Sequence, residues 1–136
     1  MIRLIVGSKG SGKTKRLIDM INEDAKKSDG ALVCIDKGTK LKYDVNYVIR
    51  LVDVDQYKIK GYDQLFGFIG GLLAGNYDIT HLYMDSILKV GGRDMDQLAD
   101  FFGKLDSILD AAHIEMIFTV SCEPEELPEA FRSMIL

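Results

Sequence analysis

The stretch Gly7-Ser8-Lys9-Gly10-Ser11-Gly12-Lys13-Thr14 constrains the fold of this chain more than any other. A glycine, four residues and then Gly-Lys-Thr make a phosphate-binding loop only when a buried strand leads in and a helix leads out. Both flanks are present. Met1-Ile2-Arg3-Leu4-Ile5-Val6 is an almost unbroken apolar run, as a parallel strand covered on both faces requires. After the loop, Leu17, Ile18, Ile21 and Ala25 recur at helical spacing with charged residues between them, until Ser28-Asp29-Gly30 ends the pattern. Glycines at 7, 10 and 12 let the backbone curl so that several N–H groups aim at one anion. Lys13 would bring an ammonium to the β and γ phosphates, Thr14 a hydroxyl to a Mg²⁺ ion, and the helix its positive end. The whole loop, Gly7 to Thr14, is the candidate nucleotide-binding segment.

Downstream, strand and helix patterns alternate. Ala31 to Ile35 reads as a second strand and Tyr47 to Val54 as a third, with Asn46, Arg50 and Asp53 spoiling its alternation and marking it as an edge. Gly61-Tyr62-Asp63 starts an apolar helix reaching about Ala74. Gly67, Gly70 and Gly71 inside it signal either a closely packed neighbour or a weak buried helix. Ile79 to Asp85 is a fourth strand, Ser86 to Arg93 a loop, and Asp94 or Asp96 the cap of a helix whose apolar face runs from Leu98 to about Ala112. Glu115 to Ser121 is a fifth strand, and Glu125 to Leu136 a tail with a helical turn or two. The expected fold is one α/β domain over residues 1–136, a three-layer αβα sandwich around a mostly parallel five-stranded sheet.

Asp85 is the second candidate for chemistry. At the carboxyl end of a strand in an open α/β sheet it faces the ligand crevice, where it can hold Mg²⁺ beside Thr14. His81 and His113 read as structural. Cys34 and Cys122, each in an apolar run and without ligand spacing, read as buried thiols rather than a disulfide or zinc site.

Composition narrows the partners. The chain has 136 residues, 47% of them hydrophobic, enough for one core. Its 17 basic and 21 acidic residues are interspersed, so nothing marks a nucleic-acid or membrane surface. The sequence opens on a core strand with no room for a signal segment, and the longest apolar run, Leu65 to Gly75, is too short to span a bilayer. A cytoplasmic protein is expected.

These features together resemble the P-loop NTPase superfamily, in its AAA and RecA-like branch. Gly7 to Thr14 looks like its Walker A loop and Leu82-Tyr83-Met84-Asp85 like its Walker B strand, while Val120 to Arg132 is similar to the segment after the sensor strand of AAA-type ATPases. The resemblance implies a P-loop fold with the fifth strand between the first and fourth. It also implies ATP and Mg²⁺ as ligands, Lys13 and Asp85 as catalytic residues, and Ser121 or Cys122 at the γ-phosphate sensor position. Two departures qualify it. Ser86 stands where such ATPases carry a glutamate that polarises water, leaving Glu123 and Asp36 as substitutes. The chain also stops soon after the sensor-like strand, before a last core strand and helical lid; Arg50, Arg93 and Arg132 are the candidates for a phosphate-facing arginine. The implied function is ATP binding with weak hydrolysis, or hydrolysis stimulated by an unidentified protein partner. The alternatives are a small-molecule or nucleoside kinase, with an acceptor held by Lys37 to Asn46 or Ile87 to Arg93, and a non-hydrolysing switch. ATP is preferred to GTP because no Asn-Lys-x-Asp signature occurs.

Overall fold

The apolar run at the start of the chain pairs as a strand, β1 (Ile2–Gly7). The chain then winds through α1 (Lys13–Lys27), β2 (Ala31–Asp36), β3 (Arg50–Asp53), α2 (Tyr62–Gly75), β4 (Ile79–Met84), α3 (Ile87–Gly91), α4 (Met95–Ala112) and β5 (Glu115–Ser121). This computed structural model describes all of Met1–Leu136. All five strands are parallel, in the order β1-β5-β4-β2-β3. β5 therefore lies between β1 and β4, and β3 is an edge strand.

Alternation along the strands divides the core in two. Leu4, Val33, Ile35, Leu82, Met84, Met116 and Phe118 project to one face, where α2, α3 and α4 cover them in a cluster of 26 buried residues. Ile5, Leu32, Cys34, Tyr83 and Ile117 project to the other, where α1 contributes Leu17 and Ile21 and the cluster numbers only 10. One helix cannot cover that face, so the segment between β2 and β3 completes the layer with Leu41, Val45 and Ile49. The result is helix, sheet and helix in three layers.

Covering that face changes the third strand. Tyr47 and Val48 are exposed in turns and only Arg50–Asp53 pairs. Asn22 on α1 holds the preceding segment, its Nδ2 donating to the Asp44 carbonyl at 3.0 Å and its Oδ1 accepting from the Asn46 amide at 2.8 Å. That tether keeps residues 44–49 off the sheet edge.

Two other expectations are corrected. Ser86 to Arg93 is not simply a loop: Ile87, Leu88 and Val90 are buried, and burying them winds α3. Nor do the α2 glycines admit a close neighbour, since a Cβ at Gly67, Gly70 or Gly71 would meet nothing within 4 Å. Tyr62, Leu65 and Ile69 are the residues α2 buries in the core. The tail forms two 3₁₀ turns, Pro124–Glu126 and Glu129–Met134. It then returns to the free edge of β1, where Ile135 bridges Leu4 in parallel and the Leu136 amide donates to the Leu4 carbonyl at 2.8 Å. A single bridge thus stands where a further strand would add. Cys34 and Cys122 are free and buried, and His113 takes the left-handed C-cap of α4. No helix is long and apolar enough to cross a membrane.

Candidate functional site

The loop between β1 and α1 is held by its glycines for different reasons. Gly10 and Gly12 have φ of 82° and 85°, the left-handed region that costs an L-residue about 1 kcal/mol or more. Gly7 is needed for space: a Cβ there would lie 2.6 Å from Ser11 Oγ. α1 starts on Gly12 with no side-chain cap and no acidic residue in its first turn. Its leading amides therefore have no capping side chain. The Lys13 ammonium donates to the Ser8 carbonyl at 2.8 Å, folded back along the loop.

Thr14, on the first turn of α1, meets Asp85 at the end of β4 although 71 positions separate them. Its Oγ1 donates to both carboxylate oxygens at 3.1 Å. Asp85 is fully buried, so its charge depends on donors and cations fixed around it. Thr119 on β5 supplies one donor, its Oγ1 donating to Asp85 Oδ1 at 2.5 Å while accepting from the Ser86 amide at 2.7 Å. Lys40, in the turn after β2, places Nζ 3.1 Å from Asp85 Oδ2 and 3.6 Å from Asp36 Oδ1. Ser86 itself sits at φ 57°, a conformation held by that Thr119 bond.

Asp36, at the neighbouring strand end, is 3% exposed. Its Oδ1 accepts from the Lys37 amide at 2.8 Å, whereas its Oδ2 has no hydrogen-bond partner. Burial pushes the Asp36 carboxyl above the ordinary range, against the pull of the Lys37 amide and Lys40. For Lys40, burial lowers the ammonium pKa but the hydrogen bond to Asp85 and the attraction of both carboxylates outweigh it, so the net shift is upward.

Around this centre lies a cleft of about 420 Å³ whose walls include Lys9, Lys13, Lys40, Lys89 and Arg93. Five cations converge here in a chain of net charge −4, and walls of one sign concentrate the field on an anion. A larger groove of about 660 Å³ between the starts of α2 and α4 carries both signs, Lys60 and Lys104 with Asp63, Asp96 and Asp100, and focuses neither.

The geometry sorts the remaining candidates. Ser121 lines the cleft, and its carbonyl accepts from Arg93 Nη1 at 3.1 Å. Glu123 does not line it; it is exposed and opens a 3₁₀ turn, its amide donating to Glu126 Oε2 at 2.7 Å. Of the arginines only Arg93 reaches the cleft: Arg50 lines a groove by Val48 and Tyr57, and Arg132 donates to the Glu125 carbonyl at 3.0 Å. Lys40, Thr119 and Lys89 were not singled out from the sequence. Thr119 follows from register, because Met84 pairs with Phe118 and the next residues along are Asp85 and Thr119. Lys40 has no comparable signal, since it depends on how the turn after β2 folds.

No known protein-family model and no curated protein matches this chain.

Proposed function

We propose that the chain is a P-loop nucleotide-binding protein that takes ATP with Mg²⁺ and hydrolyses it slowly, or faster with a protein partner. The observation that carries this reading is the meeting of Thr14, which lines a cleft walled by five cations, with buried Asp85 beside a glycine loop. A hydroxyl, a carboxylate and further oxygens are the hard donors that Mg²⁺ selects, and the buried Asp36 Oδ2 without a partner adds another oxygen nearby. Bound by Thr14 and Asp85, Mg²⁺ would neutralise charge on the phosphate oxygens.

The chain's own groups would do the rest. Lys13 would exchange the Ser8 carbonyl for phosphate, the uncapped amides of α1 would hold the chain of phosphates, and Arg93 would meet the terminal group. Hydrolysis is slow for want of a base. The Ser86 hydroxyl cannot take a proton at neutral pH unaided, Glu123 is exposed outside the cleft, and Asp36, which does not line it either, is left as the carboxylate that Lys40 bridges to Asp85. ATP is preferred to GTP because no guanine signature occurs.

One observation favours a second reading, phosphoryl transfer to a small hydroxyl compound. Asp36 borders a separate cavity of about 160 Å³ with Thr39, Lys42, Asp53 and Gln56 in its walls, where an acceptor could give Asp36 its proton. Phosphate release from ATP by the wild type, Lys13→Ala and Asp36→Asn separates these readings. Slow release abolished by both substitutions supports the ATPase. Binding without release in the wild type favours transfer or a switch, and release that survives Lys13→Ala rules the proposal out.

A further inference from the structure

Lys40 occupies an unusual place for a lysine of a phosphate cleft. Its ammonium does not point freely at a prospective anion. It lies between two carboxylates on adjacent strand ends, 3.1 Å from Asp85 Oδ2 and 3.6 Å from Asp36 Oδ1. Both carboxylates are buried, at 4% and 0% side-chain exposure, whereas the lysine is 46% exposed and free to leave on its four-carbon stem. Only two buried side-chain polar atoms in the molecule lack a partner, and one is Asp36 Oδ2. A monovalent ammonium that leaves one carboxylate oxygen unmatched is a poorer fit to two buried charges than a divalent ion.

We propose that Lys40 and a divalent cation compete for the same pair of carboxylates, Asp36 and Asp85, and that metal binding displaces the Lys40 ammonium into the phosphate cleft. The inference rests on the nucleotide reading of this cleft and deepens it in two ways. Asp36 becomes a ligand-side residue beside Asp85 and Thr14, and the turn after β2 becomes sensitive to the metal. The same lysine has two successive partners: carboxylates first, then the phosphate that arrives with the metal. Magnesium sites commonly use one or two carboxylates with the remaining positions left to water and phosphate, which is what Asp36, Asp85 and Thr14 can supply.

The test uses the full chain and Mn²⁺ alone, without nucleotide, counting free Mn²⁺ by its electron paramagnetic resonance signal. Lys40→Met should tighten Mn²⁺ binding roughly two- to fivefold, the range expected for removing a half-exposed ion pair that the metal must otherwise break. Lys40→Arg should keep the weaker wild-type binding, and adding Asp36→Asn to Lys40→Met should abolish the gain. In the wild type, where folding is not in question, Mn²⁺ should speed acetylation of Lys40 by a succinimidyl ester, read by mass spectrometry. Unchanged or weaker Mn²⁺ binding in Lys40→Met, or acetylation of Lys40 indifferent to Mn²⁺, overturns the inference. ATP titrations run in parallel keep the two claims apart. Intact ATP binding with no metal competition removes only this inference, whereas absent ATP binding removes the reading it rests on.

Discussion

Replacing Thr119 with valine preserves shape and removes a single hydroxyl, yet that hydroxyl makes two bonds at the centre of the site. It donates to the buried Asp85 carboxylate at 2.5 Å and accepts from the Ser86 amide at 2.7 Å. A hydrogen bond to a charged group is worth about 1.5–3 kcal/mol, and a partly buried amide left without an acceptor costs about 1 kcal/mol more. Thr119→Val should therefore lose about 3 kcal/mol, a large share of a total stability of roughly 5–15 kcal/mol. In a chain of this size the melting temperature should fall by about 10 °C. Thr119→Ser keeps both bonds and gives up one methyl group, for about 1 kcal/mol. Urea unfolding of the three proteins measures the difference. The Mg²⁺ dependence of ATP binding should weaken in the valine variant alone, because Asp85 then loses a donor that fixes its orientation. A valine variant within about 0.5 kcal/mol of wild type, or a serine variant as unstable as the valine one, would refute this account of how Asp85 is held in the core.

Gly91 faces the Tyr62 ring, and a Cβ there would overlap it; Gly91→Ala should lose about 1–3 kcal/mol in urea unfolding as α3 is pushed from the core. Burial, with Asp94 nearby, pushes the Tyr62 phenol from 10 up to about 12. A raised folded-state pKa means that its contribution is intact below pH 10 and lost as pH rises toward 12, so alkaline unfolding should begin in that window. Tyr62→Phe, which gives up the 2.6 Å bond to the Gly92 carbonyl, should flatten that dependence in a pH series of melting curves. Part of the slope should remain, since Tyr83 is also pushed upward by burial and by its bond to Asp24. Burial raises both thiols, Cys34 and Cys122, so the folded protein should be inert to the thiol reagent DTNB at pH 8 and release two equivalents on unfolding.

The parts of the fold written in short-range pattern were legible from the residues. Strand and helix patterns placed the main elements to within a few positions, and of the two cap candidates, Asp94 and Asp96, it is Asp94 that accepts from the Asp96 and Gln97 amides. The sites that were misread depend on contacts distant in sequence. Tyr47 to Ile49 has β-branched character, but Asn22 on α1 decides that it stays off the sheet. Ile87 to Val90 sits between a strand end and a pair of glycines and reads as loop; burial against the core makes it a helix. The α2 glycines carry no record of what faces them, and they face open space. In the candidate site, Gly7 to Thr14 and Asp85 stood out because that pattern restricts residue type and position, and the structure brings Thr14 and Asp85 together. Thr119 and Lys40 did not stand out, because a threonine in a strand is ordinary until the strand register sets it beside Asp85, and a lysine in a turn until that turn folds toward Asp85.

The most direct test of the central claim is calorimetric titration of ATP with Mg²⁺ into the wild type and Lys13→Ala, with GTP as the comparison. The expected result is micromolar ATP binding that needs Mg²⁺, exceeds binding of GTP, and is lost when Lys13 becomes alanine, while the variant melts at close to the wild-type temperature. Binding of neither nucleotide by the wild type, or equal binding by the folded variant, would contradict it.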